Sequence, residues 1–199
     1  MPNKNVYIIA GSNGAGKTTF AKEFLPKYAH CPNFVNADLI AQGLSPFNAN
    51  IVSIKAGKLL LEQIRKLADK DVDFAFETTL AGKRHAIFLK ELKEKGYITH
   101  LFFLWIPSKE LAVARIKERV ARGGHSVADA DVRRRFDRSV CNLFKLYRPL
   151  LDSWNLFDNS TTTPRLIAEE KHGKLDVVDK DTFDKIVKKA IPDAKEKNR

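Results

Sequence analysis

Eight consecutive residues, Gly11-Ser12-Asn13-Gly14-Ala15-Gly16-Lys17-Thr18, have the types and the spacing to hold a polyphosphate. They follow the pattern G-x-x-x-x-G-K-T, in which glycines let successive backbone N–H groups turn inward around an anion. A helix that begins there adds unpaired N–H groups and a partial positive charge. In this reading Lys17 reaches the β- and γ-phosphates of ATP, the Thr18 hydroxyl ligates Mg²⁺, and Thr19 stands next to them at the start of the helix. The setting is the one this chemistry needs. Val6 to Ala10 is a short apolar run that predicts a buried strand, and Thr19 to Leu25 predicts a helix stopped by Pro26.

Two carboxylates follow at the ends of later apolar runs. Phe34-Val35-Asn36-Ala37-Asp38 predicts a second strand with Asp38 at its end, placed to accept the proton of an attacking hydroxyl or to cap the segment Leu39 to Gly43. Phe74 to Thr79 predicts a third strand, and an unpaired charge at the end of such a strand would be costly. Glu77 could therefore hold an acceptor hydroxyl or reach Mg²⁺ through water, with Thr78 and Thr79 adding hydroxyl contacts; the threonines also fit ordinary strand propensity and capping. The most apolar run, His100 to Ile106, predicts a central parallel strand covered on both faces, and it ends in Pro107-Ser108 with no acid. A motor ATPase would place an aspartate there, so Mg²⁺ must rely on Thr18, phosphates, water and either Asp38 or Glu77.

Seven arginines lie between positions 115 and 138. Arg115, Arg119 and Arg122 share one face of a helix capped by Ser108; Gly123-Gly124-His125 breaks it. Ser126 to Asp129 predicts a capping box for the next helix, on which Arg134 and Arg138 share a face with Arg135 beside them. Two arginine-bearing helices on a glycine hinge predict a lid that closes over a nucleotide, stabilises the transferring phosphoryl group and excludes water.

The elements that must position these groups are those of an α/β protein. The expected architecture is a P-loop kinase fold: a mostly parallel sheet with helices on both faces and the arginine-bearing lid. Ser45-Pro46 predicts a helix start, and Ile54, Leu59, Leu60, Leu61, Ile64 and Leu67 predict a long amphipathic helix over 51–68. Arg84 to Gly96 predicts another helix. Asp158 and Asn159 end a short strand in a polar loop and are candidates for contacts to the adenine. Arg165–Glu169 and Leu175–Val178 predict a hairpin, and Asp181–Ala190 a last helix with Asp181 and Asp184 as its capping box, followed by a flexible basic tail. With 199 residues and 44% hydrophobic content, one domain with a core over about 4–170 is expected. No run has the length of a membrane span or a secretory leader, so a cytoplasmic protein with no membrane partner is expected, and Cys31 and Cys141 lack metal spacing. A net charge of +11 calls for an anionic partner: a nucleotide-like substrate beside ATP, with nucleic acid as second candidate.

With these strings in view, the sequence resembles the zeta-toxin family of P-loop kinases over residues 5–170. The resemblance rests on Gly11 to Thr18, on Asn36 to Ala41 with Gly43 to Pro46, and on Phe76 to Leu80. It continues through Arg119, Gly123-Gly124-His125, Arg133 to Phe136 and Asp158 to Ser160. It implies an ATP- and Mg²⁺-dependent phosphotransferase acting on the sugar 3′-hydroxyl of UDP-N-acetylglucosamine and held in check by an antitoxin protein. It implies Lys17 and Thr18 for ATP and Mg²⁺, Asp38 as base, and Glu77 with a following threonine for the acceptor. Arg119 and one or more of Arg133 to Arg135 are implied for the phosphates, and Arg122 is added here on the acceptor side. The family members in question are longer and place an arginine soon after the acidic base, where this chain has Leu39-Ile40-Ala41. A polynucleotide 5′-kinase and an ATP-binding regulator with little turnover remain as alternatives.

Overall fold

The structure, a computed structural model, describes residues 4–191. The phosphate-loop strand β1 (Lys4–Gly11) sits between β3 (Phe74–Thr78) and β4 (Tyr97–Trp105), with β2 (Phe34–Val35) outside β3 and β5 (Ser153–Asp158) outside β4. These five strands run parallel. An antiparallel pair, β6 (Arg165–Lys171) and β7 (Lys174–Val177), extends the sheet beyond β5. Parallel pairing aligns the strand ends that matter: Ala10 lies opposite Thr78 and Gly11 opposite Leu104, so the phosphate loop and Glu77 leave the sheet at one edge.

Alternation along the strands explains why both faces need helices. Val6, Ile8, Phe74, Phe76, Leu101 and Phe103 face a core formed with α3 (Ser53–Asp69), α4 (Arg84–Glu94) and α7 (Lys180–Ala190). Ile9, Ala75 and Phe102 face the opposite way, toward Ala21 and Leu25 of α1 (Lys17–Phe24) and its continuation. A third cluster joins α5 (Lys109–Ala121) and α6 (Asp129–Asn142) through Ala112, Ile116, Val132 and Phe136 to Leu104 and to Ala15 of the phosphate loop. Helices α5 and α6 are thus packed directly against the glycine-rich loop.

Several boundaries differ from the expectation for local reasons. Pro26 does not stop α1; the chain continues as a π-helical turn over Leu25–Ala29, with Pro26 near its start where a missing N–H is tolerated, and ends at His30 in the left-handed region. The second strand ends at Val35, because Asn36 caps α2 (Ala37–Leu44) by accepting from the Asp38 and Leu39 N–H groups. Asp38 is therefore a first-turn residue and not the cap. Ser45 terminates α2 and no helix starts at Pro46; a 3₁₀ turn forms instead over Ala49–Val52. Ile54, expected on the buried stripe of α3, is exposed, and Ala56, Leu60, Ile64, Leu67 and Ala68 are buried. Ser126 does not cap α6, whose N-cap is Ala128 with no side-chain bond; Ser126 accepts from Asn50 instead. At α7 the cap is Asp179, bonded to the Thr182 N–H, in place of Asp181. The expected basic tail beyond Ile191 lies outside the described residues. Among the described residues no helix is long and apolar enough to cross a membrane.

Candidate functional site

The phosphate loop leaves β1 and enters α1 through Gly16, which caps the helix at φ 83° with no side chain to compete for the first-turn N–H groups. A Cβ there would come within 2.6 Å of the Asn159 amide nitrogen, so glycine is required both by the backbone and by the close approach. Asn159 uses that nitrogen to donate to the Ala15 carbonyl at 2.6 Å, which ties the loop after β5 to the phosphate loop. Arg115 of α5 completes the tie by donating to the carbonyls of Asn159 at 2.9 Å and Ser160 at 2.8 Å. Asp158 closes the loop from below. Burial opposes its charge, but bonds from Ser160 and from Arg165 outweigh that cost and hold its carboxyl below the ordinary carboxylate range.

At the other side of the loop stands a ring of four polar side chains. Lys17, almost fully buried, donates to the Ser12 carbonyl at 2.9 Å and lies 3.6 Å from Glu77. The Thr18 hydroxyl donates to Glu77 at 2.7 Å. Asn36 donates to the same Glu77 oxygen at 2.6 Å and to Thr18 at 3.3 Å while its carbonyl caps α2. One buried amide therefore fixes the first turn of α2, and with it Asp38, relative to Thr18 and Glu77. The acid missing from the end of β4 is supplied from β3, on the other side of β1.

These residues sit where two cavities meet. The larger, about 850 Å³, is lined by Asn13, Gly14 and the run from Gly16 to Phe20, by Arg115, Arg119 and Arg122 of α5 and the turn after it, and by Asn159 to Thr162. The smaller, about 190 Å³, is lined by Asn36, Ala37, Thr78, Thr79, His85 and Arg135 among others. Asn13, Lys17, Asp38 and Glu77 line both. The first has the volume and position for a nucleoside triphosphate, and the second has the hydroxyls and charges of an acceptor pocket. His85 gives the second a neutral wall: its Nε2 is buried without a partner, and burial pushes the imidazole down to about 4.

The arginines divide by position. Arg119 and Arg122 face the nucleotide cavity, and Arg122 pairs there with Glu118, away from the acceptor side to which it was assigned above. Arg135 faces the acceptor cavity. Arg134 lines neither cavity; it pairs with Asp131 on the outer face of α6. The end of α6 is tied to the loop after β3, since Asn142 donates to the Leu80 carbonyl and the Tyr147 hydroxyl to that of Gly82, both at 2.6 Å. Sequence reasoning gave no role to Asn36 or His85, and it read Arg115 as a lid arginine without its tie to the Asn159 and Ser160 carbonyls. Asn36 was legible as a cap residue before a helix; the carbonyls that Arg115 bonds lie 44 and 45 positions away, and the burial of the His85 Nε2 is set by packing, so neither leaves a local signal.

The oxygen donors fit a divalent cation. Thr18 and Glu77 present hard ligands side by side at the loop's end, and among the described residues no three His, Cys, Asp or Glu side chains form a self-sufficient cage. A Mg²⁺ ion held through one or two side chains, phosphate oxygens and water suits that donor set.

Known proteins share a family and a fold with this chain. Residues 2–182 match the family model for zeta toxin. An uncharacterized protein of Haemophilus influenzae is 32% identical over 136 residues, covering 68% of this chain and 94% of that protein. The chain is similar in structure to the AvrRxo1-ORF1:-ORF2 complex solved with ATP, with a TM-score of 0.76 at 17% identity over 92% of this chain and 63% of that one. It therefore spans less than two thirds of that relative's length. It is also similar to a chain of the PezAT chromosomal toxin–antitoxin system of Streptococcus pneumoniae, with a TM-score of 0.61 at 14% identity over 97% and 89% of the two chains. At these identities the structural likenesses establish a shared fold.

Proposed function

The chain belongs to the zeta-toxin family, and from that premise we propose that this P-loop kinase transfers the γ-phosphoryl group of ATP to a hydroxyl of a small nucleotide-sugar acceptor, with the 3′-hydroxyl of UDP-N-acetylglucosamine as the leading candidate. The observation that carries the reading is the junction of the two cavities at Lys17, Asp38 and Glu77. A hydroxyl entering from the smaller cavity meets the γ-phosphate of a nucleotide in the larger one beside a carboxylate that can take its proton.

The step balances without a further reactant. The acceptor oxygen forms a bond to the γ-phosphorus, the bond from that phosphorus to the β–γ bridging oxygen breaks, Asp38 receives the hydroxyl proton, and ADP leaves. Lys17 and the loop N–H groups hold the β- and γ-phosphates. Glu77 and Thr18 would hold Mg²⁺, which when bound neutralises charge on the phosphate oxygens. Arg119 approaches from the lid to stabilise charge on the transferring group, and Arg135, Thr78 and Thr79 orient the acceptor. The acceptor cavity holds about a sugar ring, so the nucleotide part of such an acceptor would lie outside it. The PezAT neighbour belongs to a toxin–antitoxin system, which supports a protein antitoxin as partner here.

The test is mass-spectrometric detection of phosphate transfer from Mg²⁺-ATP to a panel of nucleotide sugars, dinucleotides and short oligonucleotides, with Asp38→Ala and Lys17→Ala as controls. Phosphorylated UDP-N-acetylglucosamine, absent with Asp38→Ala although ATP still binds, is the expected result. Product only on oligonucleotides would replace the acceptor class, and near-normal turnover by Asp38→Ala would remove it as base.

A further inference from the structure

Asp38 has a neighbour that the proposed chemistry does not use. His125, in the loop joining α5 and α6, places its Nε2 3.8 Å from the Asp38 carboxylate, within ion-pair range and longer than a direct hydrogen bond. The imidazole is 14% exposed and the carboxylate 46%, so the contact covers one side of Asp38 and leaves the rest open. Asp38 lines both cavities and His125 lines neither. The histidine therefore reaches the carboxylate from outside the space that the reactants would occupy.

The loop is built to hold it there. Arg119 donates to the His125 carbonyl at 2.8 Å, and the Gly124 N–H donates to the Arg119 carbonyl at 2.9 Å. Gly124 has to be glycine, because a Cβ there would lie 2.5 Å from the Arg119 side chain. One residue further on, the Ser126 hydroxyl accepts from Asn50 at 3.1 Å, a second bridge from the same loop to the region after α2. Arg119 itself lines the nucleotide cavity and keeps a buried Nε without a partner. The arginine that faces the nucleotide thus also grips the backbone of the residue that faces the base.

We propose that His125 is a positioning residue for Asp38, set by Arg119, so that the base is held in place when the lid is seated over a nucleotide. The inference rests on the reading of Asp38 as base. Its physical content is a coupling between two segments distant in sequence, α2's first turn and the lid loop, through one contact between an imidazole nitrogen and a carboxylate. Small displacements of a base are expensive in rate, which is what a positioning contact prevents.

Hydrogen exchange on the whole protein with Mg²⁺-ATP tests the contact without any acceptor. In His125→Ala the amides of 37–40 exchange faster than in wild type, and in Asp38→Ala those of 122–128 do so. With UDP-N-acetylglucosamine as acceptor, His125→Ala lowers kcat roughly 10- to 100-fold with KM for ATP within about twofold, and His125→Gln, which keeps a donor at similar reach, recovers most of the loss. Wild-type exchange in both opposing segments overturns the proposal whichever acceptor is used, as does an unchanged kcat in His125→Ala. A wild-type protein inert toward that acceptor, with the exchange result as expected, supports the pair and counts against the acceptor named under the proposed function.

Discussion

At the level of single residues, the phosphate loop is held less by its own sequence than by side chains that arrive from far along the chain. Asn159 reaches the Ala15 carbonyl across 144 positions, and Arg115 bonds three backbone carbonyls, those of Gly14, Asn159 and Ser160. Neither residue needs to touch a phosphate to matter for binding. Asn159→Ala leaves a buried carbonyl unpaired and frees the loop, so ATP affinity measured by calorimetry is expected to fall roughly 5- to 10-fold, about 1 kcal/mol. Glu77 has the opposite character, since Lys17, Thr18 and Asn36 all converge on it. Glu77→Gln keeps the shape and removes the charge; transfer is expected to drop roughly 100-fold or more and to need a higher Mg²⁺ concentration for half-maximal rate. A Mg²⁺ dependence identical to wild type would detach Glu77 from the metal.

At the level of elements, α2 and α6 show how similar cap signals diverge. Both Asn36 and Ser126 precede a helix, and only Asn36 caps one. Asn36 is buried and satisfies two helix N–H groups while holding Glu77, whereas Ser126 spends its hydroxyl on Asn50 at the surface. Asn36→Ala is expected to cost at least about 1 kcal/mol in urea unfolding, and Ser126→Ala to stay within about 0.5 kcal/mol. Equal losses would mean that the cap is not what distinguishes them. The lid pair follows the same logic: α5 and α6 carry similar arginines, but packing through Ile116, Val132 and Phe136 turns Arg119 and Arg135 inward and leaves Arg134 outside.

At the level of the whole molecule, the neutral imidazole of His85 links stability to pH. Its folded value of about 4 lies below the ordinary 6.5, so between those values the unfolded chain binds a proton that the folded one refuses. Stability from this group is complete above pH 6.5 and is lost as pH falls toward 4, on the order of 3 kcal/mol over the full interval. Replacing it by His85→Phe is expected to flatten the decline in unfolding free energy between pH 7 and 5. A slope unchanged from wild type would show that His85 is not the group responsible.

The sequence by itself determined the nucleotide loop, the strand before it and the helix after it, because those signals are local: glycine freedom, an apolar run and a run of helix formers within twenty residues. It also determined that Asp38, Glu77 and the arginines were candidates, since charged side chains beside apolar runs need a reason to be there. Only the tertiary structure decided which of them share a space. Parallel pairing puts Glu77 next to Thr18, the cap at Asn36 places Asp38 on a helix and not on a strand, and the packing of α5 against α6 sorts the arginines. Those outcomes depend on contacts between residues 18 to 144 positions apart, such as Asn36 to Thr18 and Asn159 to Ala15, and the chain carries no local pattern that encodes such pairings.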